Sequence, residues 1–333
     1  MKTNVLFFVI LLSSHFLVET DAPAQWERIE HSFVNSTRVL RNQCSTLYAG
    51  SYSGGVFKSI DGGSTWTNLA SGLTDLKVLS LLIQDSIMIA GTIDGGTFRS
   101  TTAGASWESA NPGSGIGCAI GFASISSHTF TVVDDTVYRT EDSGEHWTSL
   151  GVNQPGGLEL RCIEALNGDL FIGTTDSGIY RSSDLGTSWM PASSGLTSKT
   201  VEVLYSDGIN LYAGTDHIPA DTSSNAIFIS SNAGVSWAPI DLNIGLYHVI
   251  SIVVSNDLVF AGTMGGGPYL FTNDAGSWVG TNVGFDGPAI FSMLVFGDEL
   301  FINAGDEYLW RQSIGKLLDA DENGSVLPRQ YSL

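Results

Sequence analysis

Ser59-Ile60-Asp61-Gly62-Gly63-Ser64-Thr65-Trp66 is the stretch on which the fold turns. The same pattern returns at 100–107, 140–147, 182–189 and 230–237, and one residue shorter at 272–278. Its six tryptophans, Trp66, Trp107, Trp147, Trp189, Trp237 and Trp278, are spaced by 41, 40, 42, 48 and 41 residues. A fixed period of about 40 residues is the mark of a repeat architecture. Each copy reads as a hairpin. Asp61, Asp142, Asp184 and Asp274 can accept backbone N–H groups inside the turn, and the following Gly supplies a backbone conformation that other residues resist. Thr102 and Asn232 replace the Asp in two copies, where weaker turns are expected.

Working outward, an apolar run ending in Gly-Thr or Gly-Ser precedes each hairpin: 47–51, 87–92, 170–174, 211–215 and 258–263. A second run follows at 55–59 and 178–182, and a third lies upstream of both at 78–83 and 249–254. With the strand after the Trp, each period holds four short antiparallel strands, which is a propeller blade. The last unit, from 290 to 311, has three strands and no hairpin, with Trp310 where Phe57 and Tyr180 stand in other units. The missing strand is at the other end. Trp26-Glu27-Arg28-Ile29 matches Trp66-Thr67-Asn68-Leu69, and Trp26 precedes Trp66 by 40 residues. All eight tryptophans are then placed. The expected fold is all-β, a seven-bladed β-propeller of four-stranded blades closed by its N-terminal strand.

The motif Ser-x-Asp-x-Gly-x-Thr-Trp resembles the Asp-box, or BNR repeat, of sialidase-like, sortilin-like and photosystem II assembly-factor-like propellers. The resemblance implies that first strands line the central channel and that the box turns lie on one face. The loops joining strands two and three, and blade to blade, lie on the opposite face, where ligands bind. On that face the two-to-three turns are acidic, with Asp94, Asp134, Asp135, Asp176, Asp216 and Asp306. Such a ring could hold a cation or a basic partner. Asp is equally a good turn residue in its own right. The unit holding Asp216 carries an insertion, 216–226.

Arg38 and Arg161 each precede their Trp by 28 residues and so take equivalent channel positions, with Glu202 at the same place in the insertion-bearing unit. A sialidase needs three convergent arginines, and only two are in phase. Arg99, Arg139, Arg181 and Arg311 share a slot on the third strand, away from the channel. A xyloglucanase-type glycosidase uses two acids across a cleft between two propellers, and this chain has residues for one. No catalytic residue, metal site or cofactor is implied. The five histidines beyond the leader, such as His146 and His248, lack metal-ligand spacing.

Net charge is −20, from 14 basic and 34 acidic residues. That balance argues against nucleic acid or an anionic membrane surface, which are bound through Lys and Arg. Residues 1–24 read as a secretory signal, with Lys2, an apolar core at 5–12 and a small-x-small site at Ala22-Pro23-Ala24. No other segment could span a bilayer. Cys44, Cys118 and Cys162 are an odd set, read as buried thiols or as one bridge between Cys118 and Cys162. The propeller is expected over 25–312 and an acidic tail over 313–333. The end of that tail, Leu327-Pro328-Arg329-Gln330-Tyr331-Ser332-Leu333, resembles the lead-in to a type IX secretion sorting domain. The resulting expectation is a secreted or cell-surface binding propeller that recognises a protein or glycan through its loop face. The alternative is a sialidase-like or xyloglucanase-like glycoside hydrolase.

Overall fold

Where the first hairpin was expected, strands Gly55–Ser59 and Thr67–Asn68 pair antiparallel around a tight turn. The computed structural model describes residues 26–29, 37–111, 117–151, 157–216, 227–240, 248–272, 277–281, 289–305 and 308–318. The expected signal segment, the insertion at 217–226, Asp274, Asp306 and residues 319–333 lie outside the described residues, and Trp278 is described in its backbone alone.

Seven four-stranded antiparallel sheets form, and six of them take their strands in chain order. Blade one holds Thr37–Gln43, Thr46–Ser51, Gly55–Ser59 and Thr67–Asn68. Blade four holds Leu160–Leu166, Asp169–Thr174, Ile179–Ser182 and Met190–Pro191. The first strand of each blade packs against the first strands of its two neighbours, and that of blade one meets that of blade seven, so the sheets form a ring. Second strands are buried on both faces because each sheet lies between two others, and Phe130, Phe171, Phe260 and Phe301 are among the most buried side chains.

The hairpin turns explain how one blade fixes the next. In blade four the Ser182 hydroxyl accepts the Gly186 N–H at 2.8 Å and donates to Asp184 at 2.8 Å. Asp184 in turn accepts the Ser188 N–H at 2.8 Å. Leu185 and Gly186 carry successive positive φ values of 57° and 82°. The φ of 82° favours Gly at 186, and a Cβ there would also lie 2.5 Å from the tip of Leu150 in the preceding blade, which would have to move. Thr102 and Asn232 make the same capping bonds, accepting the Ser106 and Ser236 N–H groups at 3.0 and 2.9 Å. The turn therefore survives the loss of the carboxylate.

The tryptophans divide into two groups. Trp107 and Trp237 are buried and donate to the carbonyls of Leu69 and Ala192 in the preceding blade. Trp66, Trp147 and Trp189 stay half-buried beside their own turns, and Trp66 donates to its own Gly63 carbonyl at 2.9 Å.

Blade seven consists of Ser292–Phe296, Glu299–Asn303 and Leu309–Ser313, with Glu27–Ile29 as its outer strand. Glu27 pairs with Arg311 through two 3.0 Å bonds, and Arg28 stacks on the Tyr308 ring. The buried Trp26 indole donates to the Thr281 carbonyl of blade six at 2.6 Å. Ring closure thus joins the two ends of the chain. Past the last strand a short helix, Ile314–Leu318, lays Leu317 into the same core as Trp26.

Replacing Ser182 by Ala leaves the buried Gly186 N–H without its acceptor, and a loss of about 1–3 kcal/mol is expected in chemical denaturation. Asp184→Asn should cost less, as Asn232 does the same task. Trp26→Ala removes the closing anchor and should cost about 3–5 kcal/mol. Unchanged unfolding of Trp26→Ala would mean that the ring does not depend on its N-terminal strand.

Candidate functional site

The first strands of blades one to six each carry a β-bulge next to the end of the second strand, on the face of the two-to-three turns. The register skips one residue at Arg38, Leu79, Ile120, Arg161, Glu202 and Ile250. Phe291, directly ahead of Ser292–Phe296, takes the seventh place and donates its N–H to Asn303 at 3.2 Å. Bulges bend a strand and re-aim a side chain, and here they set one residue per blade at the channel mouth. The ring is mixed: four apolar residues, two arginines and one glutamate.

The structure brings Arg161 and Glu202 together at 3.8 Å, with Glu159 at 3.7 Å from the same guanidinium. Arg38 stands apart in blade one. Its guanidinium lies 3.7 Å from the Phe291 ring centre and 5.0 Å from that of Tyr52. Burial pushes its pKa down, with a small opposing effect from Tyr52. No convergent arginine set forms, because Arg99, Arg139, Arg181 and Arg311 bind Glu108, Glu141, Asp169 and Glu27 on the blades.

The acidic turns separate into distinct places. Exposed Asp94 pairs with Lys77 at 2.5 Å. Asp134 accepts the Cys118 N–H at 2.9 Å, and Asp135 accepts the Leu160 N–H of the next blade at 2.8 Å. Asp176 accepts from its neighbour Ser177 at 2.9 Å. Asp216 lies 2.8 Å from His248 of the next blade. These carboxylates hold turns and blade junctions as well as charging the face. Asp134, Asp135, Glu159, Arg161 and Glu202 share one depression of about 410 Å³, with Ile120, Val132 and Leu160 as its apolar wall.

Three residues deeper, the same period places Arg41, Glu164 and Tyr205 in blades one, four and five. Their charges act on one another, which only the channel permits. Arg41 projects into the channel with protein on all sides, and the resulting loss of hydration pushes its pKa down against the opposing influence of Glu164 and Tyr205. Burial raises the Glu164 carboxyl to about 7, against the lowering influence of the Ala165 N–H and Arg41. Tyr205 donates to the Val254 carbonyl at 3.4 Å. This layer went unread in the sequence, although the spacing that finds Arg161 and Glu202 finds it as well.

All three cysteines are unbridged thiols, so the Cys118–Cys162 alternative is not realised. Burial pushes Cys162 up to about 12 and raises Cys118 also, which keeps both protonated and poorly nucleophilic. Among the described residues, no three His, Cys, Asp or Glu side chains are grouped to hold a metal ion. Nor is any described helix long and apolar enough to cross a membrane.

No family model matches the chain, and no characterised protein matches it by sequence. Solved structures do match in fold. YCF48 bound to a D1 peptide superposes with a TM-score of 0.69 at 14% identity, over 88% of this chain and 99% of that one. The extracellular domain of BT4673 from B. thetaiotaomicron gives 0.68 at 14% identity, over 87% of this chain. There this chain spans 40% of the matched length. A GH74 xyloglucanase from Xanthomonas campestris gives 0.68 at 13% identity, over 87% of this chain and 53% of that one. The likeness is one of fold. A protein solved with a bound peptide and a xyloglucanase share it.

The channel acid has a pH signature. Its folded pKa is raised, so it favours folding while protonated: the contribution is full below about 4.5 and is lost as pH rises through about 7. Relative to Glu164→Gln, the wild type should lose about 1–3 kcal/mol between pH 4.5 and 7. Parallel stability curves for the two proteins would remove Glu164 from the channel.

Proposed function

We propose that the chain is a secreted, non-catalytic Asp-box propeller that binds a protein partner through its loop face. The observation that carries this reading is the depression shared by blades three, four and five. It joins an apolar wall, Ile120, Val132 and Leu160, to a rim of Asp134, Asp135, Glu159 and Glu202. Its one arginine, Arg161, is already engaged by Glu159 and Glu202. The carboxylates outnumber the one arginine, and that excess suits a partner segment bearing Lys or Arg. That YCF48 has been solved with a peptide supports peptide binding as a use of this fold. In the same reading residues 1–24 direct export, and the tail expected from 313 begins only after the Ile314–Leu318 helix, since Ser313 ends a strand of blade seven and Leu317 packs in its core.

Against a hydrolase reading, the Cys118 thiol in the depression is held protonated and its arginine is paired with Glu159 and Glu202. The test is a parallel screen of the purified protein on basic peptides, acidic peptides and glycans. Basic peptides should be retained, with affinity falling as salt rises. The triple change Asp134→Asn, Asp135→Asn, Glu159→Gln should weaken them at least tenfold; Asn at 135 keeps an acceptor for Leu160. Turnover of sialosides or xyloglucan that vanishes with Glu202→Gln, or selective retention of glycans, would overturn the proposal.

A further inference from the structure

The seam between blades seven and one departs from the commonest pattern of blade junction, as does the end of the second strand of blade three, which is Val132-Val133. In blades one, two, four, five and six the second strand ends in Gly-Ser or Gly-Thr, because the next blade's first strand crosses there: a Cβ on Gly50 would meet Val78 at 2.6 Å. The following hydroxyl then ties the turn, as Thr174 does by donating to Gly178 at 2.8 Å and accepting the Ser177 N–H at 3.0 Å. In blade seven the pair is Asn303-Ala304. Asn303 is fully buried, and neither its Oδ1 nor its Nδ2 has a hydrogen-bond partner among the described residues. By the repeat, it faces the start of blade one, where the Thr37 hydroxyl is also fully buried and unpartnered. The next residue is Arg38, whose Nε is buried without a partner. Half of the orphaned buried polar side-chain atoms among the described residues, four of eight, belong to this one seam.

Arg38, like Arg41 deeper in the channel, has no ion-pair partner among the described residues. Arg99, Arg139, Arg161, Arg181 and Arg311 each have a carboxylate within 4.0 Å, whereas none reaches Arg38 among the described residues. It sits instead against Phe291, with Tyr52 as a second ring. Aromatic contact holds a guanidinium in place without neutralising it. A partly desolvated cation of this kind gains from an anion, and a planar fork fits a carboxylate edge-on. Tyr52, 39% exposed, flanks the approach from solvent.

We propose that the seam between blades seven and one is a carboxylate site, in which Arg38, clamped by Phe291 and Tyr52, receives an acidic group of the partner, backed by the polar atoms of Thr37 and Asn303. The proposal rests on the loop-face reading and adds a second contact. Arg38 lies three blades from Arg161, so a partner would set a carboxylate here and a basic segment over the acidic depression.

A small probe separates the two claims. Benzoate, with neutral benzamide as control, is titrated into the folded protein while the arginine Nε–H resonances are followed by NMR. Benzoate should shift the Arg38 signal saturably and benzamide should not. Arg38→Met, which keeps the apolar stem, should abolish binding. Arg38→Lys should weaken it at least fivefold, and Arg161→Met should leave it intact. Three labelled peptides then identify the source of the carboxylate: one with a free C-terminus, one amidated with an internal Glu, and one amidated without acid. Binding of either acidic peptide, lost in Arg38→Met, supports the site and names its source. No benzoate-dependent shift, or equal binding of the acid-free peptide, overturns it and marks the orphaned atoms as a place for internal water only. Either result leaves the basic-peptide screen to stand or fall on its own.

Discussion

The ring depends on one steric constraint: the second residue of each hairpin pair with positive φ must bring its backbone flat against the preceding blade. Gly104, Gly144, Gly186 and Gly234 would each drive a Cβ to within 2.5–2.7 Å of Leu69, Ile89, Leu150 or Phe171. At those distances a methyl group would have to push aside the tip of the facing side chain, so the turn is both a hairpin connection and the blade-to-blade contact. The hydroxyl that begins the motif satisfies the Gly N–H from within, which lets the turn be buried without an orphaned donor. The carboxylate acts one step out, at the exposed end of the turn, where Asp61 is held at about 2 mainly by bonds from Thr65. Ser, Thr and Gly thus do the buried part of the work, and Asp is the replaceable member.

This ranking explains what the sequence made legible. A repeat that must place Gly and hydroxyl at fixed points every 40 or so residues shows its period in any single chain, so blade count, strand order and closure by Trp26 can all be read. The in-phase places of Arg38, Arg161 and Glu202 could be read for the same reason, since each is the bulged residue of its blade. What the period cannot carry is partnership. Arg38 and Arg161 are equivalent by position, yet one is neutralised by glutamates and the other lies between aromatic rings. Their neighbours come from blades remote in sequence, and Phe291 reaches Arg38 only because the ring closes. The Arg41, Glu164 and Tyr205 layer was hidden likewise, since it exists only across the channel.

Acidity on the loop face illustrates a second limit. Counting Asp94, Asp134, Asp135, Asp176 and Asp216 suggests a ring of charge, but several of these groups are occupied with backbone donors or a nearby cation. An Asp that caps a turn keeps its negative charge, so both descriptions hold together. The net field of the face is acidic, and the particular contacts are structural. Convergence around Ile120 and Leu160 is what singles out one depression from this background.

Blade seven is where the repeat logic relaxes, because its outer strand comes from the other end of the chain. It carries no hairpin Gly to press against blade six, and its second strand ends in Asn303-Ala304 where five of the other six blades have Gly and a hydroxyl and blade three has Val132-Val133. A polar amide enters a place that is bare backbone in those five blades, and two neighbouring polar groups are left without partners beside it. Buried polar atoms of this kind weaken a fold unless something satisfies them, so a seam that collects them departs from local rules that the other blades keep. Closure itself is secured by other means: the Trp26 indole, the Glu27–Arg311 pair and Leu317 all anchor the outer part of the blade. The inner edge of the seam keeps its own contact, in which the Leu40 N–H donates to the Ser292 hydroxyl at 3.0 Å, and two residues before it Arg38 meets the channel mouth.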